Sequence, residues 1–288
     1  MPFTSFSAVQ SGQPVQAAGM SKTVSATTNP VLGPLNVTST TVNPVNTASS
    51  SAQLTYGILP AMTAFSFSTP QSSIAVSGIN VQCTLGTGVC RGSNVTTTAV
   101  VVNPLDPPNP TLAWNYQSFG YWLVTPSATT ALAGAVSFGN VTPVTGIPTS
   151  GTATYNGSSS GTYVDRSGAV FEHAAQMTST VDFTARSVAF STTGTTISPL
   201  NAASPVPASA LNVSGNLTIT SGANQFTGAV TAPGGTINGV VTPAMTGSAT
   251  GRFYGPTAQE IGGVFSLKAT TNPGTSPQTM LGGFGGKR

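Results

Sequence analysis

Nowhere do the apolar residues of this chain keep the three-to-four-residue spacing of an amphipathic helix. The segments between its 33 glycines and 22 prolines are instead short and rich in Val, Thr, Ile, Phe and Tyr. Glycine and proline interrupt regular structure, while β-branched and aromatic side chains suit a pleated, half-buried surface. This punctuation confines the chain to short strands and turns and predicts an all-β fold. The 288 residues suffice for two domains or for one large β domain, and a 39% share of hydrophobic residues supplies a core.

Charge narrows the reading further. Only 5% of residues are Asp, Glu, Lys or Arg, against roughly 25% in ordinary globular proteins. Charged disorder, coiled coils and long surface helices are excluded, because each needs the residues this chain lacks. The net charge of +3 is the difference between 8 scattered basic and 5 acidic residues. It forms no phosphate-neutralising stripe, which argues against nucleic acid as a partner. Hydroxyls and amides must hydrate the surface instead. Such a surface suits an extracellular or cell-surface protein, and it leaves few like charges to hold copies apart, so self-association is expected.

Along the chain, candidate strands of the first part fall at residues 21–26, 53–56, 64–68, 79–83, 96–102, 111–117 and 120–125. The proline-rich run 103–110 cannot join a central ladder, because proline removes donors. Just after it, Trp114, Tyr116, Phe119, Tyr121 and Trp122 form the densest aromatic cluster. Core packing is the plainer reading of that cluster, and an exposed aromatic binding edge is the functional one. Pro143 and Pro148 mark a linker that divides the chain into 1–145 and 146–288. Beyond it, 152–155 and 161–164 flank Asn156-Gly157, a hairpin signal. Further strands are expected at 170–177, 180–185, 187–191, 211–220, 225–231, 235–241, 246–254 and 262–268. Apolar and polar residues alternate from Val181 to Arg186, as on a strand with one buried face. Serial antiparallel strands at this spacing fit a meander closing into a barrel, which spares a charge-poor sheet its sticky edges.

Cys83 and Cys90 bracket a turn containing Gly86 and Gly88. Two short strands joined there bring the thiols together, which favours a disulfide and an oxidising compartment over a reduced pair. Two thiols lack the further ligands zinc requires, so no metal site is expected. The first ten residues have neither the basic nor the apolar region of a secretory signal, so the expectation is that the numbering begins after processing or that export uses another route. No run approaches the ~18 apolar residues of a membrane helix.

Thr154-Tyr155-Asn156-Gly157, Gly161-Thr162-Tyr163, Val181-Asp182-Phe183, the segment Gly251-Arg252-Phe253-Tyr254-Gly255-Pro256 running on to Glu260-Ile261-Gly262-Gly263-Val264-Phe265, and the ending Gly282-Gly283-Phe284-Gly285-Gly286-Lys287-Arg288 occur in that order. Together they resemble the β-barrel domain of the transferrin-binding-protein-B-like family, over roughly residues 150 to 288. Tyr116 and Phe119-Gly120-Tyr121-Trp122 resemble the segment that precedes this barrel. The resemblance implies a β-rich N-terminal handle domain followed by an eight-stranded antiparallel barrel. It further implies a secreted or outer-membrane surface protein of a Gram-negative bacterium that binds haem, an iron-source protein or another surface partner. Gly255 and Pro256 are read as a tight turn, and Gly262 and Gly263 as a close backbone approach or bulge. Glu260 is expected to satisfy backbone donors beside that turn.

Chemistry is sparse. The single histidine, His173, is a candidate haem ligand with Tyr254, Tyr163, Met177 or Met245 as second ligand, although a lone His is more often a strand surface residue. Trp114, Tyr116, Tyr121 and Trp122 are the other candidate ligand contacts. A serine could be combined with His173 and Asp182 on paper, but no nucleophile-elbow motif supports a triad, and the glycine-rich stretches lack the Lys of a phosphate loop. The chain reads as a non-enzyme with no obligatory cofactor. The binding role leads. A self-assembling structural or adhesive subunit that pairs free edge strands is the alternative.

Overall fold

The computed structural model describes residues 3–32, 35–84, 86–106, 114–200, 202, 204–271 and 278–288. Its strands, in chain order, are β1 (Pro14–Thr28), β2 (Val37–Val42), β3 (Asn46–Tyr56), β4 (Met62–Ser68), β5 (Ser73–Ser77), β6 (Val81–Thr84), β7 (Val89–Ser93), β8 (Thr97–Val102), β9 (Gln117–Ser127), β10 (Thr130–Gly139), β11 (Thr152–Val164), β12 (Val170–Asp182), β13 (Ser187–Pro199), β14 (Val206–Pro207), β15 (Ser214–Ile219), β16 (Phe226–Ala232), β17 (Gly235–Ile237), β18 (Val240–Thr242), β19 (Met245–Tyr254), β20 (Glu260–Ala269) and β21 (Thr279–Lys287). Among the described residues, helix is confined to single 3-10 turns such as Val144–Gly146.

The first ten strands make one sheet in the order β5-β4-β3-β1-β10-β9-β8-β7-β6, with β2 also paired to β1. Alternate burial along β4 and β5 sends Phe65, Phe67, Ile74 and Val76 inward, where they meet Tyr56, Trp122 and Phe138. The sheet curls until its two ends approach, and Gly92 of β7 lies against the Val76 side chain of β5. Cys83 and Cys90 face each other in register across β6 and β7 and are disulfide-bonded.

The second sheet closes. β12, β11, β21, β20, β19, β16, β15 and β13 pair in that order, and β13 returns to pair with β12. The last strand thus seals the barrel against the first, from Asn156↔Lys287 to Val164↔Thr279. Closure leaves this sheet no free edge. The interior is filled by Tyr155, Met177, Phe190, Phe226, Phe253, Phe265 and Phe284 among others, with the Phe190 and Phe284 rings 4.7 Å apart. Each such buried ring contributes about 1.5–3 kcal/mol of burial.

The two lobes are joined along a seam. β20 and β21 are buried on both faces, one toward the barrel interior and the other toward β1, β9 and β10. Val264 and Leu281 share a cluster with Met20, Val24, Val100, Tyr121 and Ala135 of the N-terminal sheet. Glycine on the outer face lets the backbones approach. A Cβ on Gly262 would lie 2.7 Å from Ser137 Oγ, and one on Gly285 only 2.2 Å from Gln117 Nε2.

Local readings are corrected in several places. Asn156-Gly157 is not a hairpin but the middle of β11, and the chain reverses instead at residues 165–169, where Asp165 Oδ1 accepts hydrogen bonds from the Ser167 and Ala169 amides. The expected strand 235–241 is itself a hairpin, with β17 and β18 joined at Asn238-Gly239, both at positive φ. Expected strand 170–177 and the start of 180–185 run together in β12, which ends at Asp182, so 183–185 form the turn to β13; of 211–220, Leu211 closes a 3-10 turn and the strand begins at Ser214. Of the expected strand 111–117, residues 111–113 lie outside the described residues, as do 107–110 of the proline run. Residues 114–116 are not strand, and β9 begins at Gln117.

Candidate functional site

The residues singled out for chemistry are held inside the molecule. His173 projects into the barrel, 2% exposed, with Nε2 3.1 Å from the Leu281 carbonyl and its ring 5.9 Å from that of Phe265. Burial lowers its pKa to about 4, so the imidazole is neutral at pH 7. It is therefore not a strand surface residue. The alternatives for a second haem ligand, Tyr163, Met177 and Met245, are barrel core, while Tyr254 lies in the seam with its hydroxyl 2.9 Å from Ser137 Oγ.

The aromatic cluster is distributed through the packing and forms no exposed edge. Trp114 stacks on Phe119 at 5.6 Å, and Trp122 packs on Phe67 at 5.6 Å in the N-terminal core. Tyr116, half-buried, lies over Gly255, which adopts φ +83° in the turn before Pro256. Tyr121 is buried in the seam, where its hydroxyl joins the ion pair between Arg91 of β7 and Glu172 of β12. Burial raises the pKa of the Tyr121 phenol.

All five acidic residues do structural work. Asp106 Oδ2 accepts hydrogen bonds from the Gly86 and Gly88 amides and so closes the turn between the cysteines. Asp165 and Asp182 cap their own turns. Glu172 is paired with Arg91. Glu260 accepts from the amides of Asn115, Tyr116 and Gln117, at 2.5, 2.8 and 2.9 Å. Burial raises the Glu260 carboxyl to about pH 6 despite these donors and Lys287. It thus ties the start of β9 to the start of β20, a role across the seam that exceeds the local turn expected of it. Gly262 serves close approach to Ser137 and Gln117, and the unbroken β19–β20 register excludes a bulge at Gly262 or Gly263. Asp182 and His173 serve different ends of β12 and do not meet as a triad. Among the described residues no cluster of three potential metal ligands exists.

Solvent-facing features gather at the loop ends instead. Three turns of the N-terminal sheet, β1–β2, β7–β8 and β9–β10, converge through hydrogen bonds from the Thr28 amide to the Thr129 carbonyl and from the Thr125 amide to the Thr96 carbonyl. Between them opens a cleft of about 510 Å³ lined by Thr28, Pro30, Leu35, Thr96, Thr125 and Pro126, among others. Val31 and Val95 project from its loops, 87% and 101% exposed. The β11–β12 turn of the barrel stands beside them, since Asn36 Nδ2 donates to the Ser167 carbonyl. Exposed Val240 and Val241 sit on the nearby β17–β18 hairpin. Sequence reasoning overlooked this end of the molecule. The available signal was an isolated valine inside a polar turn, as in Ser93-Asn94-Val95-Thr96.

The family model for the C-lobe and N-lobe β barrels of Tf-binding protein B matches residues 147–288. Among solved structures, the vaccine antigen Transferrin Binding Protein B from Haemophilus parasuis Hp5 is similar in a single-substitution mutant, with 12% identity, TM-score 0.46, 94% of this chain and 75% of that one covered. Its double mutant gives 13% identity and TM-score 0.39 over 96% and 76%. Intact Ap-TbpB, with N and C lobes, gives 13% identity and TM-score 0.41 over 99% and 77%. No curated protein matches the chain.

Proposed function

Through its barrel of residues 147–288 the chain belongs to the family of transferrin-binding protein B β barrels, and on that premise we propose that it is a non-enzymatic binding protein of a Gram-negative cell surface. Its ligand on this reading is an iron-source protein, engaged by the turns at the β1–β2 end of the N-terminal lobe and the barrel turns beside them. The observation that carries the reading is a division of labour. Every acidic group and the one histidine are engaged by hydrogen bonds or an ion pair within the fold, while exposed apolar side chains, Val31 and Val95, stand around an open cleft. Apolar side chains rimmed by polar loops mark contact surfaces more often than reaction centres.

Immobilised protein should bind iron-loaded transferrin in biolayer interferometry, and V31D together with V95D should weaken capture at least about tenfold, as expected for hot-spot positions. Absence of saturable binding to apo- and iron-loaded transferrin rejects that ligand. A Soret shift on haem titration that survives both substitutions moves the ligand to haem. Concentration-dependent growth to filaments in sedimentation moves the role to self-assembly.

A further inference from the structure

The barrel mouth beneath the β17–β18 hairpin holds a second, half-open cavity whose chemistry differs from the loop cleft. It measures about 170 Å³ and is lined by Tyr163, Phe171, Ile197, Ile237, Val240 and Thr242, with Asp165, Arg166 and Asn238 at the rim. The walls are buried: Tyr163, Ile197, Ile237 and Thr242 are each less than 10% exposed. Tyr163 and Phe171 stack with centroids 6.3 Å apart, presenting an aromatic wall opposite isoleucine. Cavities of about 150 Å³ with apolar walls hold a benzene-sized molecule.

Two features make this more than a packing defect. The hairpin over it shares no ladder with the barrel. Its strand β17 anchors to the core through Ile237, while Val240 on β18 is 46% exposed. On β18, Thr242 is 4% exposed and its side chain hydrogen-bonds that of Tyr163, so the hairpin is a flap seated by two side chains, Ile237 and Thr242. The second feature is charge. The Asp165 carboxylate is occupied by its own turn, accepting from the Ser167 amide and hydroxyl and the Ala169 amide. Arg166 at the rim has no ion pair or hydrogen bond among the described residues. The mouth thus combines an aromatic and aliphatic chamber with an uncommitted guanidinium at its opening, which is suited to a carboxylate.

We propose that this mouth binds a small carboxylate with a single aromatic ring or a short branched apolar body, the apolar part under the flap and the carboxylate at Arg166. The site is independent of the protein-binding reading, and it stands or falls without it. The probe is phenylacetate, with benzyl alcohol as its uncharged counterpart, followed by isothermal titration and by saturation-transfer NMR on the full chain. Phenylacetate should bind with a Kd of about 0.1–1 mM, as its size permits. R166Q, an exposed change, should weaken phenylacetate at least about threefold and leave benzyl alcohol unchanged. V240W at the rim and I237W in the chamber should each abolish both. Absence of phenylacetate binding overturns the proposal. So does binding that V240W leaves intact, or a loss in R166Q that benzyl alcohol shares.

Discussion

A carboxylate and an imidazole, both buried, pull the pH dependence of this protein in opposite directions. His173 titrates at about 4 instead of its ordinary 6.5. Its neutral form belongs to the fold, so its contribution is complete above pH 6.5 and is lost as pH falls toward 4, a change of about 3 kcal/mol. Glu260 titrates at about 6 instead of 4.5. Its protonated form is the easier one to bury, so its contribution is complete below pH 4.5 and lost as pH rises through 6, a change of about 2 kcal/mol. Urea unfolding between pH 4 and 7 should therefore show a shallow net acid loss in the native chain. The loss should be steeper in E260Q and flat or reversed in H173Q. A second residue-scale expectation separates two Asn-Gly pairs. At Gly157 a Cβ would meet the Gly285 carbonyl oxygen at 2.0 Å, whereas at Gly239 it meets open space and only φ +77° is strained. G157A should cost about 3 kcal/mol and G239A about 1 kcal/mol, read from shifts in the urea midpoint. The same dipeptide reads identically in both places, so the hairpin expected at Asn156-Gly157 was a fair inference from local chemistry. What displaced it is β21, whose Gly286 pairs with Gly157 from far along the chain and needs a smooth partner there.

At the scale of elements, connections matter more than strand content. Reduction of Cys83–Cys90 opens a loop of separation 7, worth about 2–3 kcal/mol in chain entropy. C83S/C90S should lower the unfolding free energy by that amount while keeping the β-sheet circular-dichroism signature, because Asp106 still caps the turn. The disulfide was readable from two cysteines around a glycine turn, since hairpin geometry alone brings them together. β21 and the β17–β18 flap should behave oppositely to deletion. Removing 279–288 unpairs the edges of β11 and β20 at once and should leave no soluble folded protein. Replacing 235–242 by two glycines removes buried Ile237 and Thr242 but no barrel ladder, which should cost about 2–4 kcal/mol with the fold retained. Gel filtration and thermal melts distinguish the two outcomes. The sequence contains Gly282, Gly283, Gly285 and Gly286 as a tail-like ending. Only pairing on both sides turns those glycines into a strand.

For the molecule as a whole, the seam decides whether the lobes act as one body. It is stitched by Arg91–Glu172, by Glu260 on the β9 amides, by Ser137–Tyr254, and by Lys268 and Arg252 donating to the Thr40 and Thr47 carbonyls. Calorimetry should accordingly show a single transition. Truncating Arg91 leaves buried Glu172 without its cation, with the Tyr121 hydroxyl as its remaining partner. R91A should cost about 1–3 kcal/mol, less than a fully buried pair because Arg91 itself is 40% exposed. R91A combined with E260Q should split the transition in two. A double-mutant cycle on Arg91 and Glu172 with no coupling would show the pair to be incidental.

Composition and alternation by themselves determined that this chain makes short strands joined by turns, and their serial spacing was compatible with a closed meander in the second half. These follow from one- and two-residue periods, which any short window contains. Which face each aromatic takes, why glycines crowd the last strand, and what Glu260 serves were decided only in the tertiary structure. Each depends on a partner brought from another lobe or from more than a hundred residues away, and burial on both faces of β20 and β21 erases the alternation that would have announced the seam.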